Sequence, residues 1–360
     1  MFKALDKWLY GYLKSVCRRP RHHGRTHLIF CVADHFEPFR GHASKAEAMA
    51  AVRAWRQLYP AAVAGLQDAD GCRFRHTFFY PADEYDPDVV DVVADLCREQ
   101  YGELEIHLHH RHDTEASLAQ KLAQFRDVLH QRHHVLGKDR EGRVRYGFVH
   151  GNWSLGNSRP DGDWCGVNRE LGVLSATGCY ADFTFPSAPS PTQPRMVNLI
   201  YRARDTGRPR AADRGIAAAC GAQHDDGLLL VTGPLALDWR NRKMGILPRL
   251  ENGDVTGKNP ATPARIKIWA RQHIHVAGRE AWVFVKIHTH GCVPANQAAW
   301  LGGAMRAAHE HLAAAWHDEA RDRALHYVTA REMYNIIRAA EDGCDGPPGA
   351  FRNYEVGVPG

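Results

Sequence analysis

Eight short runs of apolar, largely β-branched or aromatic residues punctuate the chain, at 26–33 (THLIFCVA), 74–80 (FRHTFFY), 104–109 (LEIHLH), 144–150 (VRYGFVH), 181–185 (ADFTF), 228–232 (LLLVT), 282–288 (WVFVKIH) and 325–328 (LHYV). Each has the length and composition of a buried strand. Between them the apolar positions fall into a helical rhythm, most clearly over 115–134, where Leu118, Leu122, Phe125 and Leu129 recur at steps of three and four. Further helices are predicted over 45–58, 86–99, 167–177, 295–316 and 330–341. Strands alternating with helices predict parallel pairing through crossover helices, and seven or eight such units favour a closed or nearly closed α/β barrel over an open sheet. The interval 188–281 breaks the rhythm: it is rich in Pro, Gly and polar residues, holds one clear strand, and reads as a long insertion. One barrel domain over 26–341 is therefore predicted, flanked by an arm at 1–25 and a surface-draped tail at 342–360 that contains Pro347, Pro348 and Gly349.

Composition narrows the class. Of 360 residues, 44% are hydrophobic and 24% charged, which excludes a disordered, collagen-like or coiled-coil chain. The net charge of +5 is spread too thinly to read as a nucleic-acid footprint. Nine cysteines, an odd number with no C-x-x-C spacing, suggest neither a disulfide framework nor a zinc ribbon. With no signal-like apolar core and no run of about 18 apolar residues, a soluble cytoplasmic protein is expected. The arm predicts an amphipathic helix with Phe2, Leu5, Leu9 and Leu13 on one side and a basic run behind it. That helix either packs on the body or makes a weak contact with an anionic membrane surface or a partner.

Twenty-three histidines change the picture more, because several stand where strands end. In barrels of this kind chemistry sits at the C-terminal ends of the strands. Here those ends carry Asp34, His35 and Glu37; His107, His109, His112 and Asp113; His150, Asn152 and Trp153; and His288 and His290. Glu105, His107 and His109 alternate along one strand and so share a side, from which two imidazoles can converge on one divalent cation. Asp113 offers a further ligand, unless it or Thr114 caps the following helix. Asp34 and Glu37 suit a metal or a general base, and His288 suits an acid at the rim. Trp153, Trp164 and Trp239 are as well suited to the core as to stacking on sugar faces.

Residues 76–110 resemble the polysaccharide deacetylase (NodB-homology, carbohydrate esterase family four) proteins. Thr77, Phe78 and Phe79 match that family's first strand, Pro87, Val89 and Val90 its helix, and Glu105, Ile106 and His109 its second motif. The segments 147–155, 167–187 (with Asp182 and Pro186 in register) and 284–290 are similar to its later motifs. The resemblance implies a distorted (β/α) barrel of about seven strands. It also implies one divalent cation, zinc first with manganese, nickel or cobalt as alternatives, held by Asp34, His109 and Asp113. Asp34 or Glu37 would be the base and His288 the acid, with His107, His150, Asn152, Trp153, Asp182 and His290 around a carbohydrate substrate. The family's Asp-Asp pair is reduced here to Asp34-His35, its second metal histidine falls on Asp113, and an arginine falls on Val149. The activity so implied is hydrolysis of N-acyl groups on an amino sugar or polysaccharide precursor. Two other readings stay open: a glycosidase using Asp182 and Glu37, and an inert barrel that binds a glycan or partner in polysaccharide biosynthesis.

Overall fold

The computed structural model describes residues 4–222, 226–318 and 322–359. Its strands are β1 (Thr26–His35), β2 (His76–Pro81), β3 (Gly102–Leu108), β4 (Tyr146–His150), β5 (Cys179–Asp182), β6 (Ile200–Ala203), β7 (Ile216–Ala217), β8 (Leu228–Val231), β9 (Ala236–Lys243), β10 (Leu247–Glu251), β11 (Trp282–Thr289) and β12 (Arg323–Tyr327). Its helices are α1 (Leu5–Cys17), α2 (Lys45–Ala62), α3 (Pro87–Arg98), α4 (Glu115–Gln131), α5 (Glu170–Ala176), α6 (Pro263–Arg271), α7 (Pro294–Leu301), α8 (Gly303–Trp316) and α9 (Ala330–Glu341).

Among the described residues, nine strands form one curled sheet in the order β11-β1-β2-β3-β4-β5-β8-β6-β7, and a tenth, β12, pairs with the first half of β1. All are parallel from β11 to β8; β6 runs against β8, and β7 runs against β6. The sheet is a half-barrel and not the predicted closed or nearly closed barrel of about seven strands. Beyond β11 only isolated bridges at Asp254 and Ile274 continue the ladder. The segment read as an insertion supplies β6, β7 and β8 to this sheet, and β9 with β10 forms a separate hairpin. Of its five strands only β8 matches a predicted one, at 228–232; the other four are two to eight residues long, and three of them, β7, β9 and β10, are largely exposed or half-buried, so they lack an apolar pattern.

Strand parity sorts the core. Along β1, Leu28, Phe30 and Val32 pack outward in the cluster that includes Val52, Trp55 and Tyr59 of α2, while Ile29, Cys31 and Ala33 pack inward with Phe79, Val149 and Leu229. α9 also lies on the inner side, with Met333, Ile336 and Ile337 in that cluster. It is fixed at the N-terminal ends of the strands: Ala330 N–H donates to Thr77 Oγ1 (2.9 Å), and Arg331 is salt-bridged to Glu103 (2.7 Å). The opposite, C-terminal half of the concavity is left for polar side chains.

Local signals explain most of the helices. Asp86 caps α3 with Pro87 behind it, and Thr114, not Asp113, caps α4 through a reciprocal box with Ser117. The predicted helix over 295–316 is two, broken at Gly302, whose neighbour is a second glycine with little helix propensity. In α1 the buried side is Trp8 and Tyr12; of the predicted stripe Leu5 and Leu9 are half-buried and pack against that side, Leu13 is 53% exposed, and Phe2 lies outside the described residues. The tail is not draped over the surface. Arg352 is buried on Asp68 (2.7 Å), and the Val356 carbonyl accepts from Arg331 and Asn335 at 2.8 Å each. No helix among the described residues is long and apolar enough to cross a membrane.

Candidate active site and metal centres

The parity of β1 decides which of its last residues enters the concavity. Ala33 points inward, so Asp34 points out and His35 in. Asp34 is fully buried: Oδ2 meets His76 Nε2 at 2.9 Å and Oδ1 accepts the Gly291 N–H at 2.7 Å. The expectation that Asp34 binds metal or acts as base is corrected; it braces β1 to β2 and to the turn after β11. His35 takes the inner place, its ring centroid 4.9 Å from His107 and 4.7 Å from both Trp153 and His290. Neither of its ring nitrogens has a hydrogen-bond partner.

Glu37 returns a carboxylate to this centre. Its Oε1 lies 3.2 Å from His107 Nε2 and 3.0 Å from His109 Nε2. Its Oε2 accepts from Arg40 (2.6 Å) and stands 4.0 Å from His290 Nε2. Burial opposes ionisation of Glu37, but the hydrogen bonds from His107 and His109 hold its carboxyl far below the usual carboxylate range. Burial also disfavours charge on His109, yet Asp83 and Glu37 raise its pKa to about 10. Burial and the neighbouring His290 and His107 keep His35 neutral, and burial lowers His290 to about 4 against the pull of Glu37.

The chemistry of these donors fits a divalent cation. Two imidazole nitrogens facing one carboxylate oxygen require positive charge between them, either protons or a metal. Behind His109, Nδ1 meets Asp83 Oδ2 at 3.1 Å, the carboxylate-to-histidine arrangement that orients a ligand nitrogen. His35, Glu37 and His107 each offer a donor atom within 4.8 Å of the others. Such an ion would satisfy one of the two orphan nitrogens of His35, whose burial without a partner costs about 1–3 kcal/mol apiece. His109 owes its place to Gly151, where a Cβ would come 2.3 Å from the imidazole.

A cleft opens on this centre in two hollows that share Arg40 and Trp153. One, of about 380 Å³, is lined by Glu37, Glu84, His109, Asn152 and Trp164 among others; the second, of about 360 Å³, by Pro186–Pro189, Asn252, Asp254, His288 and His290. Glu84 Oε2 is buried without a hydrogen-bond partner, and burial together with Glu37 and Asp83 raises its pKa. His288 Nδ1 is likewise unpartnered, and its Nε2 is 3.9 Å from Asp254.

The structure thus brings Glu37, His107, His109, Asn152, Trp153, His288 and His290 together at one cleft and places Asp34, His112, Asp113, His150, Asp182 and Trp239 elsewhere. Asp113 does not reach His109; it accepts from Lys121 (2.8 Å) and Ser117 (2.6 Å) and lies 3.2 Å from His110 Nδ1. His150 is fully buried against His110, ring centroids 4.7 Å apart, and Asp182 is folded onto its own Thr184 (2.7 Å) and borders neither hollow. His112 stands in solvent near Asp163, because its backbone turns at φ 55° and throws the side chain off the strand. Trp239 sits exposed on the β9–β10 hairpin, whereas Trp164 lines the cleft. Asp83, Glu84 and Arg40 were missed. The acidic pair Asp83-Glu84, just past the end of β2, was the available signal.

A second group lies beside the cleft: His110, His150, Cys165 and Glu170, all buried and within 4.8 Å of one another through one donor atom each. No family model matches the chain, and no curated protein matches it either.

Proposed function

We propose that the cleft removes N-acyl groups, acetyl first among them, from an amino sugar or polysaccharide precursor, using a divalent cation held by Glu37, His107 and His109 with His35 as a fourth donor. The observation that carries this reading is the single Glu37 oxygen facing two imidazole nitrogens, one of them backed by Asp83. Imidazole and carboxylate donors suit zinc, and accept manganese, nickel or cobalt. Such a cation, when bound, supplies Lewis acidity toward an amide carbonyl and acidifies a water.

The chain's own residues flank that point. Glu84 borders the first hollow and takes the proton of the attacking water at its unpartnered Oε2. His288 borders the second, with Asp254 beyond it; burial and Lys286 hold its pKa well below the usual histidine range, so it stays neutral and orients the departing amine at Nδ1, while the proton that Glu84 takes from the water is the one passed to that amine. Arg40 holds Glu37 Oε2, and Trp153 and Trp164 offer faces on which sugars stack. Two hollows on either side of Trp153 leave room for a substrate that continues in both directions. The glycosidase reading loses its carboxylate pair, since Asp182 is committed to Thr184.

The test is acetate release from N-acetylated oligosaccharides by metal-loaded protein, alongside the Glu37→Gln and His107→Ala variants. Acetate from the parent, lost with bound metal in both variants, supports the reading. Fully loaded protein that releases no acetate from any N-acetylated glycan overturns it.

A further inference from the structure

The geometry points to a second cation site, a closed structural zinc held by His110, His150, Cys165 and Glu170, separate from the cleft and independent of what the cleft hydrolyses. The four come from three places: just past β3, the end of β4, and the start of α5 with the loop before it. Glu170 Oε1 lies 3.1 Å from His110 Nε2 and 3.6 Å from His150 Nε2, and Glu170 Oε2 lies 3.3 Å from Cys165 Sγ. With metal–ligand distances of about 2.0–2.3 Å, a tetrahedral zinc sets its ligand atoms roughly 3.3–3.6 Å apart. The two Oε1 separations fall near that range, while Cys165 now lies against the other oxygen of the same carboxylate and within 4.8 Å of the shared donor set.

Three further observations favour a cation over a plain hydrogen-bond network. His150 Nε2 is buried with no hydrogen-bond partner and aims at Glu170. Val167 N–H donates to Cys165 Sγ at 3.4 Å, a contact that suits a thiolate. Asp113 Oδ2 sits 3.2 Å from His110 Nδ1 without a hydrogen bond between them, so that nitrogen has an acceptor at hand once Nε2 binds metal and Nδ1 carries the proton. One thiolate and one carboxylate balance the two positive charges of zinc, with both imidazoles neutral. On binding, the Cys165 thiol gives its proton to solvent and the sulfur–metal bond replaces the S–H bond. A thiolate in a mixed N, O and S set selects zinc over magnesium or calcium. None of the four residues is more than 3% exposed, which leaves no open position for substrate and makes the site structural. One contact must yield: the Asn152 N–H now reaches His150 Nδ1 at 3.2 Å, and Nδ1 carries the proton once Nε2 binds metal. The site's role is to clamp the β4 loop, with Asn152 and Trp153, onto β3 and α5.

Cobalt substitution tests this without reference to activity. Full-length protein is stripped with a chelator, reloaded with Co²⁺ and titrated while its absorption is recorded. The expected result is a thiolate-to-cobalt charge-transfer band with tetrahedral visible bands, saturating at one equivalent, abolished in Cys165→Ser and retained in Glu37→Gln. Zinc should displace the cobalt and erase the band. No charge-transfer band in the parent protein at saturating cobalt overturns the proposal whether or not the variants fold, and so does a band that survives in folded Cys165→Ser. A band in a protein that releases no acetate keeps the zinc and removes only the deacetylase, while acetate release with no band does the reverse.

Discussion

Two histidine clusters lie side by side, and a single run of sequence feeds both. His107 and His109 go to Glu37 in the open cleft; His110, next in the chain, goes to Glu170 in a closed pocket. Each cluster centres on one carboxylate facing two imidazoles; Asp83 hydrogen-bonds His109 in the first, while in the second Asp113 stands 3.2 Å from His110 Nδ1 without a hydrogen bond. They differ in access and in their fourth donor. The first borders a hollow and its neighbour His35 has unpartnered nitrogens; the second is sealed and adds a thiol. Similar ligand types therefore do not set the role: an open position makes a centre catalytic, and a closed, sulfur-containing set makes it structural.

The comparison breaks most decisively at the two carboxylates. Glu37→Gln should lower acetate release by about 10³-fold or more, since it removes the negative charge shared by the two imidazoles, while leaving the cobalt–thiolate band and the urea midpoint nearly unchanged. Glu170→Ala should do the opposite in kind. It leaves two buried imidazoles and a thiol around an empty centre and should cost about 3–5 kcal/mol in urea unfolding of the metal-loaded protein. If Glu170→Ala unfolds no more easily than Glu37→Gln, the division into a catalytic and a structural cluster fails.

The next test separates ligands from the groups behind them. Asp83→Asn keeps the size of the side chain but weakens its hold on His109 Nδ1, and should reduce metal affinity or turnover by about 10–100-fold, less than Glu37→Gln. Asp34→Asn, by contrast, should leave metal content unaltered and cost about 1–3 kcal/mol of stability through the bond to His76. Metal analysis of purified Asp34→Asn discriminates directly: loss of the cleft metal would restore Asp34 as a ligand.

Asp34 also shows what was legible in the sequence. Inward Ile29, Cys31 and Ala33 predict by simple alternation that His35, not Asp34, enters the concavity, yet a carboxylate at a motif position is the more attractive ligand on chemical grounds. The side shared by Glu105, His107 and His109 was readable for the same reason, because β3 is regular and fully buried. Glu37 and Glu84 lie past the ends of their strands, where alternation says nothing about direction. The second cluster was less accessible still. Cys165 and Glu170 reach His110 and His150 only because the loop after β4 folds back, a path set by tertiary packing and not by any local period. The curl of the sheet and the parallel crossovers were visible in the alternation of elements, but its open edge was not, since closure depends on what meets β11.

A third buried histidine supplies the baseline and the smallest effect. His309 is as buried as the cluster histidines but faces no carboxylate; its Nδ1 lies 3.2 Å from Tyr327 Oη and its ring packs 4.1 Å from Phe74. Burial, with a small push from His76, lowers its pKa from 6.5 to about 3. The folded protein therefore leaves His309 neutral at pH values where the unfolded chain protonates it. Since stability falls wherever the unfolded state binds more protons, His309 opposes folding increasingly as pH drops from 6.5 toward 3, by about 1.4 kcal/mol per pH unit. In metal-loaded protein the cluster histidines are held by their cations and should add little to this slope until the metals leave. Replacing His309 with Phe should therefore shrink the difference in urea-unfolding free energy between about pH 7 and 5 by ~2 kcal/mol. An unchanged difference would mean that the cluster histidines, not the isolated one, carry the acid sensitivity, and that the clusters are held by protons instead of metal.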